Sequence, residues 1–145
     1  MTRFLHAAVM LLTIVTLAGC GGASGSAIKV KGTLVQNGKP LQPAPQEDDT
    51  VSIVLTPADK NQKLELISAI FNHADGTFEF KGRQNAGVLP GDYRVLVSYV
   101  PYKGEGNDVL KDQFSHENST LKYTVTNDKV QEIVIDVGKR SVTSK

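Results

Sequence analysis

Apolar and polar residues alternate along much of the chain after residue 27, which is the pattern of half-buried β-strands. Seven runs of this kind are bounded by turn residues, and each predicts one strand. The predicted strands are Ile28–Gln36, Val51–Thr56, Leu64–Asn72, Thr77–Lys81, Tyr93–Val100, Leu121–Thr126 and Val130–Val137. In the fifth of them the apolar residues share one face, as expected for a sheet with one buried side: Tyr93, Val95, Val97 and Tyr99.

The run Leu64–Asn72 leaves two interpretations open, because its apolar residues also fit helical spacing and Asn61 could cap a helix. We favour a strand, since Asp75-Gly76 follows at once and would close a hairpin onto Thr77–Lys81. Seven short strands without a clear helix outside the first twenty residues predict an all-β fold, a single β-sandwich over residues 28–138.

Turn residues divide the strands and mark the loops. Asn37-Gly38 predicts a second tight turn, and the segment from Pro40 to Asp49 predicts an exposed loop. Tyr102–His116 predicts a longer loop, which could hold a short helical turn around Val109–Phe114. Residues 139–145 are expected to form a disordered tail.

The first twenty residues combine a basic start, an apolar run from Phe4 to Leu17, and the sequence Leu17-Ala18-Gly19-Cys20. The run is too short for a membrane-spanning helix of about 20 residues. This order resembles a bacterial lipoprotein signal peptide, although an ordinary secretory signal with an incidental cysteine is the alternative. The resemblance implies that residues 1–19 are removed and that Cys20 carries diacylglycerol and a further palmitate-like acyl chain, which together anchor firmly.

Residues 20–27 predict a lipidated cysteine followed by a flexible tether, because the stretch after Cys20 contains only Gly, Ser and Ala. The tether would hold the folded domain close to a membrane of the bacterial cell envelope. Gly21 stands where an Asp would favour the inner membrane in enterobacteria-like sorting, so the outer membrane is favoured.

Charge and cysteine content exclude several functions. Removing 19 of the 145 residues leaves 126, with 15 basic and 15 acidic side chains once Arg3 is gone. A near-neutral domain predicts no electrostatic surface for nucleic acid or for anionic lipid headgroups. Cys20 is the only cysteine, so neither a disulfide nor a thiol nucleophile is expected in the domain.

Three short motifs follow one another along the chain: the opening strand and turn, Gly32–Val35 and Asn37–Leu41, the hairpin Ala74–Phe80 and the segment Leu89–Val95. In this order they resemble the carboxypeptidase regulatory-like, or transthyretin-like, domains of exported proteins. The tail, with Asp112–Phe114, Asn118–Leu121 and the strand Ile133–Val137, is similar to that of small lipoproteins carrying this domain. The resemblance implies a small Greek-key sandwich that is usually non-catalytic. One enzyme of this fold, hydroxyisourate hydrolase, ends in Tyr-Arg-Gly-Ser, which this chain lacks.

Residues with catalytic or metal-binding potential are few and scattered. His73 and His116 lack metal-ligand spacing, and neither a Gly-x-Ser-x-Gly motif nor a phosphate-binding glycine loop is present. Glu47-Asp48-Asp49 could bind Ca²⁺ but lacks the spacing of an EF-hand, so a solvated loop is the better interpretation. We therefore expect no enzyme activity, no catalytic or metal site and no cofactor.

The tyrosines offer two different roles. Tyr93 follows Leu-Pro-Gly-x and predicts a tyrosine corner, in which the hydroxyl bonds back to nearby backbone. Asp75, Gly76, Asn37 and Gly38 are likewise predicted to be structural, as turn residues. Tyr99 and Tyr102 could stack on a sugar, with core or rim packing as the alternative.

These features together predict a lipid-anchored, exported β-sandwich that binds or scaffolds rather than catalyses. Its expected partners are the membrane, through Cys20, and an envelope protein or polysaccharide, without nucleic acid. Two alternatives are a carbohydrate-binding module that uses loop tyrosines and an accessory subunit of an envelope enzyme.

Overall fold

The structure is a computed structural model that describes residues 26–104 and 106–145. The predicted signal peptide, Cys20 and residues 21–25 of the predicted tether lie outside the described residues. The described chain is all-β, with a single 3₁₀ turn, Arg83–Asn85, between the fourth and fifth strands. Its eight strands are β1 (Lys29–Val35), β2 (Thr50–Pro57), β3 (Ile67–Phe71), β4 (Thr77–Phe80), β5 (Gly91–Val100), β6 (Lys122–Val125), β7 (Val130–Asp136) and β8 (Ser141–Ser144).

The strands form one mixed sheet in the order β6-β5-β2-β3-β4-β1-β7-β8. All neighbours are antiparallel except β1 and β7, which run parallel over their full length from Lys29 opposite Val130 to Val35 opposite Asp136. The two outermost strands, β6 and β8, approach each other, so the sheet is nearly closed. Because the outermost strands approach each other, little of either sheet edge is open to pairing with a strand of another molecule.

Strand β3 changes partner along its length. Ile67 and Ser68 pair with β2, whereas Ala69–Phe71 pair with β4. The sheet therefore bends at β3 and wraps one hydrophobic core, to which every long strand contributes alternate residues. The most deeply buried large side chains are Tyr93, Tyr99, Phe80, Leu34, Ile53, Leu55, Leu121, Ile133 and Ile135. The segment Leu64–Asn72 thus supplies a strand, and its helical interpretation is wrong.

Two expectations about local structure need correction. Residues 139–145, expected to be a disordered tail, instead turn back at Gly138–Arg140 and form β8 against β7, with Val142 opposite Ile135. The predicted helical turn at Val109–Phe114 is a succession of turns. Pairing with β7 decides the conformation of β8, and a local pattern does not carry that information. In the loop, positive φ angles of 54° at Lys111 and 56° at Asp112 interrupt a helical turn.

Strand β1 is closely flanked at Gly32, which pairs with Phe78 on one side and Ile133 on the other. A Cβ atom at this position would collide with the carbonyl oxygen of Ile133 and come within 2.7 Å of Cζ of Phe78. Glycine is therefore required here to let the β4 and β7 neighbours close on β1.

The connections alternate between two ends of the sheet. We call the end where β1 begins the base; it also carries the connections 58–66, 81–90 and 126–129. The opposite end, the top, carries the connections 36–49, 72–76, 101–121 and 137–140. Most of the residues singled out from the sequence lie at the top. None of the described residues belongs to a helix with the length and apolarity needed to cross a membrane.

Candidate functional site

Asp49 joins three segments at the top. It precedes β2, and its Oδ2 accepts hydrogen bonds from the Gln46 backbone N–H at 2.8 Å and from the Tyr99 hydroxyl at 2.9 Å. Its Oδ1 accepts the backbone N–H of Tyr102 at 2.9 Å. The backbone donors Gln46 and Tyr102 hold the pKa of the Asp49 carboxyl below its usual range. The carboxylate fixes the end of β5 against the loop 36–49.

Tyr99 lies on the inner face of β5 and is only 1% exposed. Burial, together with the Asp49 carboxylate beside it, raises the pKa of its hydroxyl to about 12. The phenol therefore stays protonated and serves as a donor to Asp49. The ring packs in the core, which is the alternative given above for Tyr99, and its face is not exposed for stacking on a ligand.

Asp108 fixes the loop 101–121 to the same strand end. Its Oδ1 accepts the backbone N–H groups of Tyr99 at 2.8 Å and Leu110 at 3.1 Å, and its Oδ2 accepts that of Asp112. The N–H of Val109 donates to the Tyr99 carbonyl at 2.8 Å, so both backbone groups of Tyr99 are bonded to this loop. Two carboxylates, one from the loop before β2 and one from the loop after β5, thus hold the β5 terminus.

Tyr102 is the exposed member of the predicted tyrosine pair. Its side chain is 72% exposed, although its backbone is held by Asp49. It borders an open groove of about 660 Å³ between the loop 36–49 and the β5 terminus. The groove is also lined by Pro43, Ala44, Gln46, Glu47, Asp48, Asp49, Tyr99, Pro101 and Lys103. An aromatic face with a fixed backbone and neighbouring carboxylates is suited to stacking and to accepting hydrogen bonds.

Asp136 secures the turn at Asn37-Gly38. The carboxylate is 5% exposed and accepts backbone N–H groups from Asn37 at 2.7 Å, Gly38 at 2.8 Å and Lys139 at 3.0 Å. Desolvation acts to raise the pKa of Asp136, but these three donors and the Lys139 charge outweigh it, and the pKa lies below its usual value. Asn37 and Gly38 adopt positive φ angles of 55° and 75° in this two-residue turn.

The remaining turn and corner residues also serve the fold. The Tyr93 hydroxyl donates to the Leu89 carbonyl at 2.9 Å, which is the bond expected of it from the sequence. Asp75 Oδ1 accepts both the backbone N–H and the hydroxyl of Thr77, and Gly76 has a φ of 72° in the β3–β4 hairpin. These contacts fix the hairpin beside β1, where the Leu34 N–H reaches the Gly76 carbonyl at 2.9 Å.

The two histidines lie apart. His73 is half-buried, with its ring edge against Phe71 at a centroid distance of 5.1 Å, and its Nδ1 has no partner among the described residues. It borders a mainly apolar cavity of about 190 Å³ between the loop 36–49 and the β3–β4 hairpin. His116 is exposed beside Glu117. The described residues contain no group of three or more His, Cys, Asp or Glu side chains that could hold a metal ion.

Three carboxylates that the sequence analysis did not assign to these roles therefore organise the top: Asp49 within the acidic run, Asp108 in the long loop and Asp136 at the end of β7. The only sequence signal for Asp136 was a charged residue within the apolar alternation of Ile133–Val137. No protein-family model, curated protein or solved structure matches this chain.

Proposed function

We propose that this protein is a lipid-anchored, non-catalytic binding module of the bacterial cell envelope, held by Cys20 and presenting the groove beside Tyr102 to a partner. The observation that supports this proposal is the difference in exposure between Tyr99 and Tyr102. One is buried to fix the strand end, and the other is 72% exposed on a backbone that Asp49 holds in place. Fixed exposed aromatic residues provide contact area at a low entropic cost and are enriched at binding surfaces.

The other polar groups of the top favour binding over catalysis. Asp49, Asp108 and Asp136 each accept three or more hydrogen bonds from neighbouring groups of the fold, mostly backbone N–H groups. A carboxylate engaged in this way is committed to holding a loop. The side chains that face the groove without such an engagement include those of Glu47 and Asp48, which can accept hydrogen bonds from a partner.

We infer the anchor from the sequence Leu17-Ala18-Gly19-Cys20 and from the position of the folded domain. Strand β1 begins at Lys29, nine residues after Cys20. Acylation would tie the base of the domain to the membrane and leave the top available to an envelope protein. The residue Gly21 favours the outer membrane as the location.

The fold proposed is a Greek-key sandwich of the carboxypeptidase regulatory-like, or transthyretin-like, class. The change of partner along β3 supports it, because such a switch lets one sheet behave as two facing layers. An experimental structure checks this directly. Two layers packed about 10 Å apart are expected, whereas an open round barrel would contradict the sandwich.

In-cell cross-linking tests the proposed function. A photoreactive amino acid would replace Tyr102 in the full chain, and a second variant would carry it at the exposed Thr120 as a matched control. We expect one dominant envelope protein captured from position 102 and lost in Cys20→Ala, where the chain is mislocalised. Equal capture from both positions, or capture unaffected by Cys20→Ala, would contradict a membrane-held binding groove. A captured enzyme would assign the protein as its accessory subunit.

A carbohydrate-binding module is the second candidate, because Tyr102 lies beside carboxylates that could accept sugar hydroxyl groups. Because Tyr99 is buried, Tyr102 is the one of the two predicted tyrosines whose ring is exposed for stacking on a sugar. Retention of the full chain on cell-wall polysaccharide, abolished by Tyr102→Ala and unaffected by Tyr123→Phe, would favour this candidate. Retention that persists in Tyr102→Ala would exclude the groove as its basis.

A further inference from the structure

The described domain is close to neutral overall, but its charges are divided between the two ends. The base, with residues 26–29 at the start of β1, the connections 58–66, 81–90 and 126–129, and Lys145 after β8, carries seven basic and three acidic side chains. The top, with the connections 36–49, 72–76, 101–121 and 137–140 and with Asp136 at the end of β7, carries five basic and eight acidic side chains among the described residues. Because net charge conceals the arrangement of the charges, overall neutrality does not by itself exclude a surface for anionic lipid at the base.

Part of the basic charge at the base is already paired. Lys29 and Lys81 both contact Glu79, at 3.1 and 3.3 Å, while Arg83 contacts Glu65 at 3.1 Å. A further ion pair joins Lys145 to Glu132 at 3.3 Å. The remaining basic side chains of the base are exposed and have no carboxylate within 4 Å in the described part of the chain: Lys60, Lys63 and Lys129. These three are free to meet an external anion.

Two large apolar side chains are exposed among these charges. Leu66 is 62% exposed just before β3, and Val130 is 55% exposed at the start of β7, directly after Lys129. Leu66 also borders a shallow depression with Lys81 and Arg83. Cationic residues interspersed with exposed apolar ones are suited to the boundary between lipid headgroups and acyl chains.

The length of the preceding chain brings this same end to the membrane. Lys29 is nine residues after Cys20, and a fully extended chain over that interval spans at most about 30 Å. An acyl anchor on Cys20 would therefore keep the base, and not the acidic top, near the headgroups. At about 0.15 M salt, charges act over a screening length of about 8 Å, so attraction becomes effective once the anchor has brought the base close.

We propose that the base of the domain docks on an anionic lipid surface, with Lys60, Lys63 and Lys129 facing the headgroups and Leu66 and Val130 at their boundary with the acyl chains. The docking rests on the proposed anchor at Cys20. It gives the domain a fixed orientation, in which the groove beside Tyr102 faces away from the membrane and toward partners.

The test uses the full chain purified from membranes and reconstituted into vesicles of phosphatidylglycerol and phosphatidylcholine that contain a nitroxide-headgroup lipid. One fluorophore is placed at the base through Asn61→Cys and, in a matched variant, at the top through Asn107→Cys. We expect the label at position 61 to be quenched more strongly than the label at 107. The ratio of quenching at position 61 to quenching at position 107 should fall toward one at about 1 M salt, where the screening length is only about 3 Å. It should also fall toward one in vesicles of phosphatidylcholine alone.

Charge-reversal variants distinguish an effect of the basic side chains at the base from an effect of the net charge of the domain. Lys60→Glu/Lys63→Glu/Lys129→Glu should abolish the difference in quenching, whereas Lys39→Glu/Lys103→Glu/Lys111→Glu, which changes the net charge equally at the top, should leave it in place. Equal quenching of the two labels in anionic vesicles would overturn the docking. So would a difference that persists at high salt and in the base variant, because the tether alone would then cause it.

Flotation and mass spectrometry distinguish this result from failure of the anchor. An acylated chain floats with vesicles at high salt and shows the added mass on its N-terminal peptide. If it floats but both labels are quenched equally, only the docking is overturned. If it is neither acylated nor retained on vesicles at high salt, the anchor is wrong and the docking fails with it.

Discussion

The hydroxyl of Tyr99 donates a hydrogen bond to Oδ2 of Asp49 at 2.9 Å, across 50 residues of the chain. Tyr99 is part of the core, and Asp49 belongs to a loop that would otherwise be solvated. The same carboxylate holds the backbone of Tyr102, so one side chain links the core to the exposed groove. A change at Asp49 should therefore alter both the stability of the domain and the position of Tyr102.

The Asp49→Asn variant should lose stability in a pH-dependent manner. Backbone donors at Gln46 and Tyr102 lower the pKa of Asp49 in the folded state from its usual 3.8. The stability that the carboxylate contributes is thus fully present above the unfolded pKa and is lost as pH falls through the lower folded pKa. We expect the difference in Tm between wild type and Asp49→Asn to shrink as the pH falls from about 5 to about 2.

Asp48→Asn serves as the control for that titration, because Asp48 is exposed and accepts no hydrogen bond from the described residues. Its Tm should match wild type across the range. A Tm difference for Asp49→Asn that does not vary with pH would show that its charge plays no part in holding the loop.

Tyr93→Phe should destabilise the domain by about 1 kcal/mol, the net value of one hydrogen bond. The variant keeps the buried ring and removes only the hydroxyl that donates to Leu89. Urea denaturation measures the effect, and Tyr102→Phe, which removes an exposed hydroxyl, should leave the midpoint unchanged. Equal midpoints for wild type and Tyr93→Phe would mean that the corner bond contributes nothing.

Asp136→Asn should cost about 2 kcal/mol, because hydrogen bonds to a charged group are among the stronger ones. The amide keeps one acceptor oxygen, but its NH₂ must face either the N–H of Gly38 or the N–H groups of Asn37 and Lys139. Hydrogen exchange should report faster exchange at the N–H groups of residues 37 and 38. Unchanged protection at these two positions would indicate that the turn holds itself without Asp136.

Gly32→Ala should destabilise the fold by about 3 kcal/mol, the upper end of the usual range for overpacking. The added methyl group meets backbone at Ile133 and the ring of Phe78, so relief requires β1 to separate from β7. Gly104→Ala is the matched control, since a Cβ there meets nothing closer than 3.4 Å. Thermal unfolding of the two variants should differ clearly, and similar Tm values would mean that the strands can separate at little cost.

The strands were predictable because each carries its own alternation and is bounded by its own turn residues. Thr77–Phe80 and Gly91–Val100 coincide closely with the runs expected from the sequence. Strand β8 was not predictable, since Ser141–Ser144 contains a single apolar residue and its conformation comes from pairing with β7. Strand pairing of this kind depends on distant partners, and local propensity does not report them.

The candidate site was harder to predict for the same reason. Asp49 lies 50 residues from Tyr99 and Asp136 lies 99 residues from Asn37, so no spacing within the sequence connects either pair. Tyr99 shows a signal that could have been used. It shares the apolar face of Tyr93, Val95 and Val97, and this periodicity placed it in the core.

The position of β1 has a mechanical consequence. This first strand is hydrogen-bonded on both flanks, to β4 over Val30–Thr33 and to β7 along its whole length. Sheet hydrogen bonds lie across the strand direction, so a force drawing β1 out lengthwise would load both ladders in shear at once. When a strand is instead peeled from the end of a sheet, its hydrogen bonds break one at a time. A domain tethered through its N-terminal side would therefore resist being stripped from its anchor by tension along that strand.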